Sequence, residues 1–341
     1  MGVPIFNMMT VGILPSPLKK AWYRMRGAKI GKNVSIGILT VINSKKIEIG
    51  DGTVIGPLTF INTHSFKLGK RVRIGMMVAI DTGEVEVNDD SVIMEQVVIG
   101  AAITSRSKII IGKRVMVFPF SFLNPSEPII IEDEAGIGGS NYIFTHGAWQ
   151  SILDGFPLKF GPVTIKKGAW LPWRVFVLPG VTIGEYATIG AGSVINKDIP
   201  DRSLAAGTPA KVLKTGSEYI KNYSWDEKHK MVKDILKEFS EYLNFLGTPA
   251  QHKDLGQEVV IEINHKGNKY QFHYSYQVVS MPASKIIVSL KAMEPALIEK
   301  MKQENKMWFD IEGKAACYQN DPVWVYVRDF FLRYGIRFNI D

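Results

Sequence analysis

The sequence is poor in cysteine, in histidine and in long hydrophobic runs. Its 341 residues include one cysteine, Cys317, and six histidines. A single cysteine excludes an intrachain disulfide and any zinc or iron–sulfur site built from cysteines, and it is typical of a reducing compartment. The apolar stretches are too short to cross a bilayer, and no charged-then-apolar export signal opens the chain. We therefore expect a cytoplasmic protein.

Acidic residues are fewer than basic ones, 33 against 41, which gives a formal net charge of +8. An excess of this sign favours anionic partners. The basic residues are dispersed, and the sequence has neither a basic helix with groove-reading spacing nor an aromatic-flanked RNA motif, so we expect no nucleic-acid partner. One basic cluster near the start could touch a membrane surface peripherally or form a solvated helix face. Its members are Lys19, Lys20, Arg24, Arg26 and Lys29.

Aliphatic residues recur every six positions over the first two-thirds of the chain. Six is not a multiple of the helical period of 3.6, so each hexad predicts one short strand and one corner. Three such units close a coil, and stacked coils bury their aliphatic residues on one another. Glycine often follows the aliphatic residue, where its missing Cβ would ease a bend. Each of the following is followed by aliphatic residues six and twelve positions later: Ile30, Ile49, Leu68, Val87, Ile111, Ile131, Ile165 and Ile183.

The densest part of the repeat, residues 168–214, reads GAWLPWRVFVLPGVTIGEYATIGAGSVINKDIPDRSLAAGTPAKVLK. It resembles the hexapeptide-repeat acyltransferases, and within them the galactoside, maltose and colanic-acid type O-acetyltransferases, in which PGVTIG, IGAGSV, KDIP and AGxPAK occur in this order. The resemblance implies a left-handed parallel β-helix, an acetyl-CoA donor, a carbohydrate acceptor and a homotrimer with active sites between neighbouring subunits. It covers about residues 25–215.

Three segments are predicted. Residues 1–29 form an N-terminal helical cap, residues 30–215 the β-helix, and residues 216–341 a smaller C-terminal α+β domain of unknown role. In this last segment, apolar spacing predicts a helix over 226–246, and alternation around a glycine predicts a β-hairpin over 258–276. Further strands at 285–290 and 307–313 and helices at 294–304 and 321–332 are expected. The fold class is mainly β, a left-handed parallel β-helix followed by α+β.

The catalytic candidate is His146. The six-residue rhythm breaks between Ile143 and Ile165, which predicts a projecting loop, and functional loops project from rigid repeats in this way. In the resembled family, a histidine at the start of such a loop is the catalytic base. An imidazole can remove the proton of a sugar hydroxyl while the oxygen attacks a thioester. The alternative is an exposed loop histidine without a chemical role. The sequence does not indicate which group would orient the ring.

The resemblance places acetyl-CoA against the last coils. Narrow backbone and nearby cations suit the pantetheine arm and the phosphates, and Trp170 falls where the family has a tryptophan by the active site. The cofactor-binding candidates are Trp170, Trp173, Gly190, Ala191, Gly192, Lys197, Lys211 and Lys214. Pro172 and Trp173 depart from the family pattern of glycine and a small residue, and their bulk could narrow the donor channel. The three lysines could instead be merely solvated.

No metal is expected. A catalytic zinc needs three protein ligands, whereas the repeat supplies only His64 and His146, at unsuitable spacing. The sequence thus favours an acetyl-CoA-dependent O-acyltransferase that modifies a carbohydrate precursor of a surface polysaccharide, with His146 as general base in a direct transfer. Two alternatives stay open: an N-acetyltransferase of a nucleotide-linked amino sugar, and a non-catalytic trimeric scaffold with a binding C-terminal domain.

Overall fold

A computed structural model describes residues 5–147 and 149–340. The described chain divides into two compact units, one ending at Lys221 and the other beginning at Asn222. The first unit starts with helices Ile5–Met9 and Ser16–Met25 and then winds into a prism of short strands. Strands in successive coils pair in parallel, in a register that places Ile30 beside Ile49 and Ile36 beside Ile55. This is the pairing that the interval of 19 residues predicts.

The prism has three faces. The first face contains Lys29–Ile30, Lys108–Ile111, Ile129–Ile131, Val163–Ile165 and Thr182–Ile183. The second contains Ser35–Ile36, Val54–Ile55, Arg73–Ile74, Val92–Ile93, Met116–Val117, Gly136–Ile137, Trp170–Leu171, Thr188–Ile189 and Ser203–Gly207, and Ala210–Thr215 closes it in antiparallel pairing. The third contains Val98–Gly100, Phe122–Asn124, Tyr142–Phe144, Phe176–Val177 and Val194–Ile195. Three long strands run from the third face into the first of the next coil: Val41–Ile49, Phe60–Leu68 and Ala79–Val87.

The core of the prism consists of the predicted aliphatic positions. From Ile36 to Ile195 every one of them is at most 4% exposed, whereas Ile30, in the terminal coil, is partly buried. Burial of one such side chain contributes roughly 1.5–3 kcal/mol, so stacked coils stabilise one another. The predicted class, mainly β with a parallel β-helix followed by a smaller α+β unit, is confirmed.

Glycine occurs after the aliphatic residues for a different reason from the predicted one. The left-handed backbone lies two positions later, at residues such as Leu39, Leu58 and Met77, which have φ of 57°, 58° and 57°. At Gly37 a Cβ would lie 2.4 Å from the backbone nitrogen of Pro57 in the next coil. Glycine is therefore needed here because neighbouring coils approach closely, and the bend itself is made by the later residue.

The N-terminal helix closes the open end of the prism with its basic side chains. Lys20 Nζ donates to the Val34 carbonyl at 2.8 Å, Arg24 Nη2 donates to the Ile30 carbonyl at 2.7 Å, and the fully buried Lys19 donates to the Gly37 carbonyl. The prediction of a solvated helix face is therefore wrong for Lys19. These residues satisfy carbonyls that no further coil covers. None of the described helices is long and apolar enough to cross a bilayer.

The second unit is a seven-stranded mixed sheet packed with helices. Its strands, in sheet order, are Ala250–Asp254, Glu258–His265, Asn268–Ser275, Ile286–Ser289, Met307–Asp310, Ala315–Ala316 and Asn339–Ile340. Its helices are Trp225–Phe245, Pro295–Gln303 and Pro322–Arg333. The predicted helices, hairpin and internal strands are present, and Cys317 is buried. The predictions did not include the strands at 250–254, 315–316 and 339–340.

Candidate functional site

Two insertions leave the prism at the same edge, the one that follows the third face. We call this the third edge and define it by the residues directly after the inward residues of that face. Those residues are Asn43, Asn62, Asp81, Gly100, Asn124 and Phe144. The first insertion, residues 101–107, interrupts the strands between Gly100 and Lys108. The second, residues 145–162, was predicted from the broken rhythm.

The second insertion begins with a short hairpin that holds His146. Strand His146–Gly147 pairs antiparallel with Lys159–Phe160, and a 3₁₀ turn spans Ile152–Asp154. The imidazole stacks on the Phe160 ring, with the centroids 5.9 Å apart and the planes 20° from parallel. His146 is half-buried, so its ring is held by the hairpin and still reaches solvent on one side. Ala148 lies outside the described residues.

Asn124 in the preceding coil orients the imidazole. Its Oδ1 lies 2.7 Å from His146 Nδ1, and its Nδ2 donates to the Gly100 carbonyl at 2.7 Å. Because a carbonyl can only accept, the Asn124 atom facing Gly100 must be the amide nitrogen, and the atom facing His146 must be the oxygen. Nδ1 of the neutral ring therefore carries the proton, and Nε2 is left with a free lone pair.

Further contacts immobilise Asn124. Thr145 Oγ1 donates to the Asn124 carbonyl at 2.7 Å and accepts from the Glu127 amide at 2.9 Å. Ser126 Oγ lies 3.1 Å from Asn124 Oδ1 and 3.2 Å from His146 Nδ1. Both Asn124 and Thr145 are buried, so the orienting carbonyl sits in a closed hydrogen-bond network.

The first insertion joins the same network through an ion pair. Arg106 Nη2 lies 2.8 Å from Glu127 Oε1, and the Glu127 side chain is only 9% exposed. A buried carboxylate needs such a partner. The two insertions are thereby coupled through the turn that carries Asn124 and Ser126.

Trp170 and Trp173 lie away from the third edge that carries His146. Trp170 is in the second face, and Trp173 is at the corner that follows this face. Each covers a glycine of the preceding coil: a Cβ at Gly136 would lie 2.4 Å from Trp170 Cε3, and a Cβ at Gly139 would lie 2.1 Å from Trp173 Cζ3. Trp173 remains 49% exposed. Its bulk is therefore taken up partly by the missing side chain of Gly139, and the rest of the ring faces outward.

The remaining cofactor candidates surround the last coils. Gly190, Ala191 and Gly192 form the corner above Trp173, and the Gly192 amide donates to the Trp173 carbonyl at 3.0 Å. A Cβ at Gly190 would lie 2.6 Å from the Ala206 Cβ. The three candidate lysines are all exposed, and no ion pair to them is found in the described part of the chain. They are Lys197 in a turn, and Lys211 and Lys214 on the antiparallel strand Ala210–Thr215.

Within one chain the predicted residues do not converge. His146 is at the third edge, whereas Trp173 and the 190–192 corner follow the second face. The sequence analysis missed Asn124, Ser126 and Phe160. One signal could have indicated Asn124: the 20-residue step from Leu123 to Ile143 puts Asn124 opposite Phe144, two residues before His146. In the described ranges, no group of three His, Cys, Asp or Glu residues could hold a metal ion.

Known proteins share short segments with this chain. A Staphylococcus aureus (strain MRSA252) protein provisionally named as an acetyltransferase is 56% identical over 61 residues, 18% of this chain and 30% of the relative. The galactoside O-acetyltransferase of Escherichia coli (strain K12) is 44% identical over 62 residues, with the same shares of 18% and 30%. The chain thus spans less than a third of the length of the curated relatives that it matches.

Part of the chain aligns with a solved acyltransferase structure. A UDP-N-acetylglucosamine acyltransferase from Bacteroides fragilis 9343 aligns with a TM-score of 0.46 and 17% identity, covering 64% of this chain and 86% of that one. No family model matches the chain.

Proposed function

We propose that this protein is an O-acyltransferase that moves an acetyl group from acetyl-CoA to a carbohydrate hydroxyl, with His146 as general base. The observation that carries the proposal is the 2.7 Å contact between Asn124 Oδ1 and His146 Nδ1, which leaves Nε2 free to accept a proton. A sugar hydroxyl is protonated at neutral pH, so a positioned base is what such a transfer requires. The names of the matching relatives support the same reaction class.

The reaction proceeds directly, without an acyl group on the enzyme. His146 Nε2 accepts the proton of the acceptor hydroxyl as the acceptor oxygen forms its bond to the acyl carbon. The carbon–sulfur bond then breaks, and the imidazolium returns the proton to the departing sulfur. Asn124 Oδ1 stabilises the imidazolium through the Nδ1 proton, as an orienting acceptor does in other histidine-based sites.

The donor is proposed to lie against the last coils. Acetyl-CoA supplies the activated thioester, and Lys197, Lys211 and Lys214 would face its phosphates, because exposed lysines suit phosphate as point charges. Trp170 and the flat backbone of Gly190, Ala191 and Gly192 would contact the pantetheine arm, and Trp173 would border the channel. Because His146 lies on a different edge of the same chain, a complete site needs a second copy, and we propose a homotrimer.

The release of CoA from acetyl-CoA, followed with a thiol reagent in the presence of oligosaccharide acceptors, tests this function. We expect acceptor-dependent release by the wild type and a loss of about 10²- to 10⁴-fold in His146→Ala. His252→Ala, a histidine of the second unit, is the matched control and should retain the wild-type rate. Release at the background rate in both wild type and His146→Ala would refute the enzyme and leave the scaffold alternative, whereas equal rates above background would refute His146 as the base. Release with amino sugars only would support the N-acetyltransferase alternative.

A further inference from the structure

A row of hydrogen-bonded polar side chains runs along the third edge, in the coils that precede the candidate active site. Asn43 Nδ2 donates to Asn62 Oδ1 at 2.8 Å, and Asn62 Nδ2 donates to Asp81 Oδ1 at 2.8 Å. These three residues occupy the same register position in successive coils. Asn43 is exposed, and Asn62 and Asp81 are partly exposed, so this row presents amide and carboxylate groups to solvent.

The same edge leads to His146. Asp81 pairs in register with Gly100, whose carbonyl accepts from Asn124 Nδ2, and Asn124 Oδ1 contacts His146. Five coil-to-coil steps separate Asn43 from Phe144, and at roughly 4.8 Å a step this is about 24 Å. That length suits a short oligosaccharide and exceeds what a single sugar needs.

The far end of the edge opens into a groove of about 730 Å³. Its lining includes Arg26, Lys45, Asn62, Thr63, His64 and Ile103. A smaller hollow of about 450 Å³, lined by Asp81, Gly100 and Phe122 among others, lies farther along the third edge, towards Asn124. Ile103 of the first insertion lines both, so the two hollows adjoin along the edge.

The groove is positively charged. Arg26 and Lys45 are exposed, and in the described part of the chain neither forms an ion pair with a carboxylate. Among the residues that the structure describes, none with an acidic side chain lines this groove. Two cations without a neighbouring anion favour a negatively charged ligand.

One buried hydroxyl also indicates a polar ligand. Thr63 is 6% exposed and lines the groove, and its Oγ1 has no hydrogen-bond partner among the described residues. A buried hydroxyl without a partner is costly, so a polar group bound in the groove would relieve that cost.

We propose that the third edge binds the non-reacting part of an acidic oligosaccharide. Arg26 and Lys45 hold a negatively charged group at the far end, and the amides of Asn43 and Asn62 with the carboxylate of Asp81 bind sugar hydroxyls. The placing of the reacting hydroxyl at His146 rests on the proposed function, whereas binding in the groove does not.

Titration calorimetry on the full chain tests the proposal with hexagalacturonate as the probe. We expect binding of hexagalacturonate, and at least about tenfold weaker binding of maltohexaose, monomeric galacturonate and inorganic phosphate. Equal affinity for phosphate would show a simple anion site. Tighter binding of a hexameric oligonucleotide would show a nucleic-acid groove. Either result, or no binding of hexagalacturonate, would overturn the proposal.

Variants locate the binding site. Arg26→Ala/Lys45→Ala should weaken hexagalacturonate binding about tenfold or more, whereas Lys32→Ala/Lys70→Ala, an exposed pair on another edge, should leave it unchanged. Thr63→Val removes the unpartnered hydroxyl without a change of shape and should weaken binding while stability is kept or raised. Unchanged affinity in both Arg26→Ala/Lys45→Ala and Thr63→Val would contradict the assignment.

The failure of one proposal can be told from the failure of the other. His146→Ala should bind hexagalacturonate as the wild type does and should lose only CoA release. Normal binding without any acyl transfer in the wild type would refute the proposed function and keep the groove. Acyl transfer to a neutral acceptor with no binding in the groove would refute the groove and keep the proposed function.

Discussion

The ring of Trp173 lies directly over Gly139 of the preceding coil, where a Cβ would come within 2.1 Å of Trp173 Cζ3. Gly139→Ala should therefore displace the indole and destabilise the protein by about 1–3 kcal/mol, the usual cost of overpacking. Urea unfolding measures this change in the free energy of unfolding, and tryptophan fluorescence reports the displaced ring.

The double variant Gly139→Ala/Trp173→Ala is the matched control. Removal of the ring should relieve most of the penalty, so the two substitutions should be strongly non-additive. Additive effects would show that the two residues are not in contact.

Asn124 should control the rate and the pH dependence of the proposed transfer. Asn124→Ala removes the acceptor of the His146 Nδ1 proton and should lower acceptor-dependent CoA release by about ten- to a hundredfold. Asn124→Asp puts a negative charge beside the ring, favours the imidazolium and should move the acid limb of the pH–rate profile to higher pH. Ser126→Ala should have a smaller effect, because its Oγ is farther away, at 3.2 Å. An unchanged pH profile in Asn124→Asp would contradict this positioning role.

The central coils should tolerate cavities less well than the terminal coil. Ile137 is fully buried between two coils, so Ile137→Ala should cost about 2–5 kcal/mol of unfolding free energy. Ile30 is only partly buried, and Ile30→Ala should cost clearly less. Chemical denaturation of the two variants gives the comparison, and equal losses would argue against a continuous core.

Lys19 should make stability depend on pH in the alkaline range. Its burial lowers its pKa to about 8 from the usual 10.5. Between these values the unfolded chain binds a proton that the folded chain does not, so folding gains stability as pH rises from about 8 to 10.5. Below about pH 8 the Lys19 amine is charged while it is buried, which lowers the free energy of unfolding.

Lys19→Met isolates this effect from the titration of other groups. The unfolding free energy of the wild type, relative to that of Lys19→Met, should increase between about pH 7 and about pH 10. A difference that does not change with pH would show that Lys19 is not buried as an amine.

The repeat could be predicted from the sequence because one local period determines both the strands and the core. The period identifies the inward residues within each coil, whereas the insertions at residues 101–107 and 145–162 interrupt it. Asn124 could not be predicted as the partner of His146, because their contact depends on which residues of adjacent coils lie opposite each other after irregular insertions. The burial of Lys19 could not be predicted for a similar reason: it depends on the carbonyls of the first coil, which no local pattern reveals.

The protonation state of His146 is the most direct test of the account. Nitrogen-15 NMR of histidine-labelled protein distinguishes a ring protonated at Nδ1 from one protonated at Nε2. We expect the neutral His146 ring to carry its proton on Nδ1, and the two tautomers to mix once Asn124→Ala removes the acceptor. A wild-type ring protonated on Nε2 would leave no base facing the acceptor and would contradict the proposed mechanism.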